Sequence, residues 1–152
     1  MDTPPDAAGL LAELTSGEGS RVWSASGRVI QQASRETLLA LAPHLPHIRR
    51  ATAGLELGGM LLDNDLHLAQ ALRVIGAAGD RRCSCEVYEG YLGYDPEQEQ
   101  ARGHTRTLRT TPPDWNMTFW CRCLRCAREY KVEQGASHTT WWKWNRLDPP
   151  RG

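Results

Sequence analysis

Lysine and long apolar runs are both scarce in this chain. Only Lys131 and Lys143 are lysine among 18 basic side chains, and the rest are arginine, a bias expected of a GC-rich bacterial coding sequence. Neither sign of charge is in excess, since 18 acidic residues balance the 18 basic ones, which excludes a global field drawing the protein to nucleic acid or an anionic membrane. The balance is uneven along the chain. Residues 1–80 hold 6 basic and 9 acidic side chains and residues 81–152 hold 12 and 9, giving −3 and +3, a split that a solvated surface explains. No apolar span reaches the roughly 20 residues that cross a bilayer. The opening M-D-T-P-P-D-A-A-G-L-L lacks the basic flank and apolar run of a secretory signal. A cytoplasmic protein without membrane contact is the expectation.

Catalytic signatures are missing too. The five histidines, His44, His47, His67, His104 and His138, follow no metal-ligand spacing, and Pro46 interrupts the one close pair. A zinc-dependent nucleobase deaminase needs His-X-Glu, whereas His104 precedes Thr105-Arg106 and His138 precedes Thr139-Thr140. Gly58-Gly59 has no Gly-Lys-Ser/Thr ending or dinucleotide fingerprint, so it reads as a backbone kink. A protein that is not an enzyme is expected. Repeats, low-complexity tracts and a Gly-Ser linker are also absent, so two lobes, 1–80 and 81–152, are expected to form one folding unit.

Leu10, Leu11 and Leu14 recur at helical spacing. Ser26-Gly27 between Val22–Ala25 and Arg28–Gln31 suits a tight turn and predicts a short hairpin. Ser34 offers an N-cap to a helix carrying Leu38, Leu39, Leu41 and Leu45, interrupted by Pro43 and Pro46. Leu55–Leu62 predicts a strand kinked at Gly58-Gly59, and Asp63-Asn64-Asp65 a turn before a helix with Leu68, Leu72 and Ile75 that ends on Gly79. Beyond Asp80 the pattern becomes short extended runs, Cys83–Glu89, Gly103–Arg109, Asn116–Arg122, Ala127–Glu133 and His138–Trp144. The fold class is therefore α+β, a helical amino-terminal lobe packed on a small antiparallel β-sheet.

Cysteine is what stands out. Cys83 and Cys85 lie in R-C-S-C-E, and Cys121, Cys123 and Cys126 lie in W-C-R-C-L-R-C. A Cys-X-Cys pair on a strand sends both sulfurs to one face, and a Cys-X-X-Cys turn gathers its own two. An odd number of clustered cysteines suits thiolate ligation better than a disulfide framework. Cys83, Cys85, Cys123 and Cys126 are thus expected to hold one structural zinc ion, with no coordination position left for water. Cys121 is a substitute for Cys83 or Cys85, or a buried residue one strand step before Cys123, and packing is its expected role. This carboxyl-terminal half resembles the zinc-ribbon-like domains, in which two cysteine pairs on separate β elements hold one metal. It departs from them in having Cys-X-Cys where a second Cys-X-X-Cys is usual.

The last third is rich in Trp115, Phe119, Trp120, Tyr130, Trp141, Trp142 and Trp144, interleaved with cations. Most of these rings are expected to fill a small β core. In W-W-K-W, Trp142 and Trp144 share one strand face, which is either core or contact site. Tyr91 and Tyr94, in the turn-rich stretch 90–99, and Arg125 and Arg128, beside the last cysteine, are the candidate partner-binding residues. The preferred reading is a zinc-stabilised adaptor or regulatory module that binds another protein. The alternative is binding of RNA or single-stranded DNA by the basic aromatic lobe, whose +3 charge is too small for tight binding at physiological salt. An immunity or defence-type inhibitor is a third reading that no residue selects.

Overall fold

A computed structural model describes residues 6–55, 64–113, 115–137 and 139–147. The strand expected over 55–62 with its Gly58-Gly59 kink, the Asp63 turn and His138 lie outside these residues, apart from Leu55. The chain divides into two compact units, Met1–Ser84 and Cys85–Gly152. Together they make an α+β protein of helices and one four-stranded antiparallel sheet. Among the described residues no helix is long and apolar enough to cross a membrane.

The described part of the first unit is helical: α1 (Ala7–Leu14), α2 (Gly19–Gln31), α3 (Arg35–Leu41), a 3-10 turn (Ala42–His44), α4 (Leu45–Thr52) and α5 (Asn64–Gly79). Local chemistry sets several ends. Asp6 accepts the Gly9 N–H at the start of α1, and Ser34 accepts the Thr37 N–H at the start of α3. Pro46 sits in the first turn of α4, where its missing N–H costs nothing. Leu10, Leu14, Val22, Val29, Leu41, Ile48 and Ile75 form the buried core.

The hairpin expected over 22–31 is instead helix α2. Its buried residues are Val22, Ala25, Ser26, Val29 and Ile30, a 3.6-residue period that runs straight through the Ser-Gly dipeptide. The Ser26 hydroxyl donates back to the Val22 carbonyl at 2.8 Å, so it turns inward without breaking the helix. Gly27 serves close packing, because a Cβ there would lie 3.3 Å from His67 Nε2. Gly79 is likewise a packing residue, since its Cβ would meet that of Ala42. The left-handed position that ends α5 is Arg81, at φ 59°. Its N–H bonds to the Ala78 carbonyl and the Arg82 N–H to that of Ala77, the paired bonds of a Schellman cap.

His67 on α5 lies against Trp23, ring centroids 5.3 Å apart, and burial lowers its pKa below the ordinary 6.5. A depressed imidazole pKa means that the unfolded chain takes up the proton first. The first unit should therefore lose stability as pH falls below about 6.5. Denaturant midpoints from pH 7.5 to 5 should fall less steeply in His67→Gln than in the parent, and parallel profiles would exclude this origin.

In the second unit, β1 (Thr105–Thr110), β2 (Thr118–Cys123), β3 (Glu129–Ser137) and β4 (Thr139–Arg146) form an antiparallel meander in the order β1-β2-β3-β4. Phe119, Cys121 and Cys123 alternate on the buried face of β2, opposite Val132 and Tyr130 on β3. Before the sheet comes α6 (Pro96–Ala101), capped by Asp95 with Pro96 in its first turn, where the sequence suggested only turns. The run expected as a strand over 83–89 is a 3-10 turn, Ser84–Val87. The Tyr88 N–H bonds to the Cys85 carbonyl at 3.2 Å, and Cys85, Val87 and Tyr88 are all buried, a pattern that one strand face cannot produce.

Candidate metal centre

The β2–β3 hairpin turn contributes two of the four sulfurs. Cys123 ends β2, and its N–H bonds to the Arg128 carbonyl while its own carbonyl accepts from Ala127 at 2.9 Å. This tight closure places Ala127 at φ 66°, and the chain between folds back so that Cys126 returns toward Cys123. Cys83 and Cys85 flank Ser84 at the 3-10 turn, so their sulfurs are gathered by a turn and not by strand alternation. The four ligand atoms of Cys83, Cys85, Cys123 and Cys126 all lie within 4.8 Å of one another, and the Cys85 and Cys126 sulfurs are 3.5 Å apart.

These separations suit a tetrahedral ion. Sulfurs about 2.3 Å from a central metal stand about 3.8 Å from one another, a value between the 3.5 Å pair and the 4.8 Å limit of the cluster. Donor chemistry narrows the guest, because four soft thiolates in a tetrahedron select zinc or iron–sulfur chemistry over hard cations. Four thiolates on a divalent ion also carry a net charge of about −2 that the protein must offset. The Arg125 N–H donates to the Cys123 sulfur at 3.4 Å. The Tyr130 hydroxyl donates toward Cys85, 3.2 Å from both its sulfur and its carbonyl oxygen. Arg128 pairs with Glu86 at 3.1 Å, and its pKa is raised by the hydrogen bond to Glu86, with smaller contributions from Cys126 and Cys85. Such outer contacts orient ligands and tune a metal site.

Cys121 stands outside the cluster. It is fully buried on β2, its sulfur 3.8 Å from the Thr107 hydroxyl, and burial pushes its thiol pKa up to about 11. A thiol so disfavoured as thiolate suits packing better than ligation or nucleophilic attack. Burial among the four ligands is graded from Cys85 and Cys123, both inside, through half-buried Cys83 to exposed Cys126.

The four candidate partner residues differ in exposure. Tyr94 is 3% exposed, its ring packed edge-on against Tyr88 and its carbonyl accepting the Trp144 indole N–H at 2.8 Å, which makes it core. Tyr91 is half-buried against the Tyr94 ring. Arg125 is exposed at the hairpin tip, whereas the Arg128 guanidinium is engaged with Glu86.

One polar network escaped the sequence reading. Glu99 on α6, 2% exposed, accepts from the Tyr88 hydroxyl at 2.8 Å and lies 2.7 Å from His104 Nδ1, with Arg102 at 3.7 Å from its other oxygen. Burial and the neighbouring Glu99 charge push the Tyr88 hydroxyl pKa far up, so it remains a donor. The signal for α6 was present in D-P-E-Q-E-Q-A, an N-cap with proline and acids in the first turn.

Comparison with protein families, with curated proteins and with solved structures finds nothing that matches this chain.

Proposed function

We propose that this protein is a zinc-stabilised, non-catalytic bacterial module that works in the cytoplasm as an adaptor or regulator by binding another protein. The cysteine cluster carries the reading. When zinc is bound, four protein sulfurs complete its tetrahedron, so it supplies structure and leaves no position at which to activate water. Zinc is favoured over an iron–sulfur cluster because one ion fits four sulfurs that are all within 4.8 Å.

Recognition needs an exposed anchor, and Trp115 is the strongest one among the described residues. It lies between β1 and β2 with 88% of its surface open, its carbonyl held by the Gln134 side chain at 3.4 Å. A large ring mostly open to water is accessible to a partner, and tryptophan is among the residues that dominate binding energy in protein interfaces. Trp115→Ala should change unfolding free energy by less than about 0.5 kcal/mol. Parallel affinity captures with parent and variant, read by quantitative mass spectrometry, should show a specific protein retained by the parent and lost by the variant. Identical captures would refute Trp115 as the anchor.

A further inference from the structure

The two faces of the carboxyl-terminal sheet differ sharply. Phe119, Tyr130, Val132 and Trp144 are buried on one, while the other carries Arg106, Arg122 and Lys143 exposed and Trp120, Lys131 and Trp141 half-buried. We infer that this open face is a binding platform for single-stranded nucleic acid, argued independently of the Trp115 reading.

Three observations point to an anionic, flat-ringed ligand. The first is a row of charge with cations in excess. Arg106 on β1 stands directly across from Arg122 on β2, and like charges directly opposite one another destabilise a sheet. Arg109, Lys131 and Lys143 share this face, and its acids are Glu129 and Glu133, so five cations stand against two carboxylates. Both carboxylates are engaged, Glu129 with Arg122 and Glu133 with Lys131, each at 3.8 Å. A phosphate between the opposed arginines would turn their repulsion into attraction.

The second observation is the lie of the Trp141 ring. An alanine Cβ at Gly135, its cross-strand partner, would fall 2.5 Å from both Cε2 and Cη2 and closer still to Cζ2, which lies between them. Equal distances to the two outer atoms at that range place the Cβ over the face of the six-membered ring, not at its edge. Gly135 thus lets the indole lie flat against the backbone, and Trp141 stays partly open to solvent. The third is the row Arg109, Trp120 and Lys131 across three strands, in which the Arg109 guanidinium stacks 4.0 Å from the Trp120 ring centroid. Flat rings on a sheet, interleaved with cations, are what a chain of unpaired bases uses, since each base can stack while its phosphate meets an arginine. A duplex hides its base faces and gains nothing from Trp141.

The charge sets the expected strength. Neutralising about three phosphates gives a salt slope near −2 for a single strand, so affinity should fall about twentyfold between roughly 50 and 200 mM salt. The test titrates zinc-loaded, full-length protein into fluorescein-labelled oligo-dT and oligo-U of about twenty nucleotides, read by anisotropy and by quenching of tryptophan fluorescence. Micromolar binding at low salt, that salt slope and duplex binding at least about tenfold weaker are expected. Trp141→Ala should weaken binding about tenfold or more. Arg106→Glu is the decisive variant: it replaces a repulsive pair by an attractive one, so its thermal midpoint should hold or rise while strand binding is lost. No binding at low salt, equal binding of duplex, or Arg106→Glu binding like the parent would overturn the inference. Stronger binding of a labelled polyglutamate peptide than of either strand would overturn it too, and would assign the face to an acidic protein.

Discussion

Cys123→Ser is expected to unfold the carboxyl-terminal unit in solution, with loss of near-ultraviolet circular dichroism and of amide protection across β2 and β3. The reason is the size of the metal term. Structural zinc contributes on the order of 10 kcal/mol or more to the domains that it holds, as much as the whole stability of an ordinary small domain. Cys123 is the most entangled ligand, since it ends β2, anchors the hairpin turn through its main chain and receives the Arg125 N–H on its sulfur. Cys121→Ser, two residues away, should cost only about 1 to 3 kcal/mol, because it buries a hydroxyl beside Thr107 without touching the cluster. Chelation of the parent should reproduce the Cys123→Ser state. Equal effects of the two serine variants would mean that the ligand set is wrong.

Trp144→Ala is the second large effect expected, and it does not depend on metal. Trp144 is 2% exposed and meets two tyrosine rings, Tyr88 at 4.3 Å and Tyr130 at 5.7 Å, while its indole N–H donates to the Tyr94 carbonyl at 2.8 Å. Truncation removes a large ring from a packed site, about 3 to 5 kcal/mol, and leaves a buried carbonyl without its donor, about 1 kcal/mol more. For a unit of this size each kcal/mol shifts the melting point by roughly 4 to 8 °C, so the variant should be largely unfolded near 37 °C. Trp142→Ala should be much milder, since Trp142 is half-buried and its indole N–H reaches only Gln134. Thermal melts that rank the two variants the other way would show that Trp144 is not the centre of this core.

The cysteine cluster was legible in the sequence because it rests on spacing: two short elements, each of which gathers its sulfurs within a few residues. The backbone that does the gathering was not. Cys83 and Cys85 sit on a 3-10 turn that follows the left-handed Arg81, and nothing in R-C-S-C-E separates that turn from a strand. The four strands were visible as alternating runs, within a few residues of their ends. Helix α2 is hidden in the sequence because Ser26-Gly27 carries a turn signal that competes with the period of Val22, Ala25 and Val29, although Gly27 is set by the approach of His67 from a distant helix. Tyr94 and Glu99 were unreadable for a related reason. Their burial depends on partners at Trp144 and Tyr88, and local pattern carries no such information. The open sheet face needed register as well, since only the pairing of Arg106 with Arg122 and of Gly135 with Trp141 makes separate residues into one surface.

One ion held by four sulfurs is the centre of the proposed fold and function, and X-ray absorption at the zinc edge of protein purified without added metal tests that most directly. It should give one zinc per chain with a single shell of four sulfurs at about 2.3 Å and no nitrogen or oxygen neighbour. A shell containing nitrogen or oxygen, or protein that is folded and free of zinc, would contradict it.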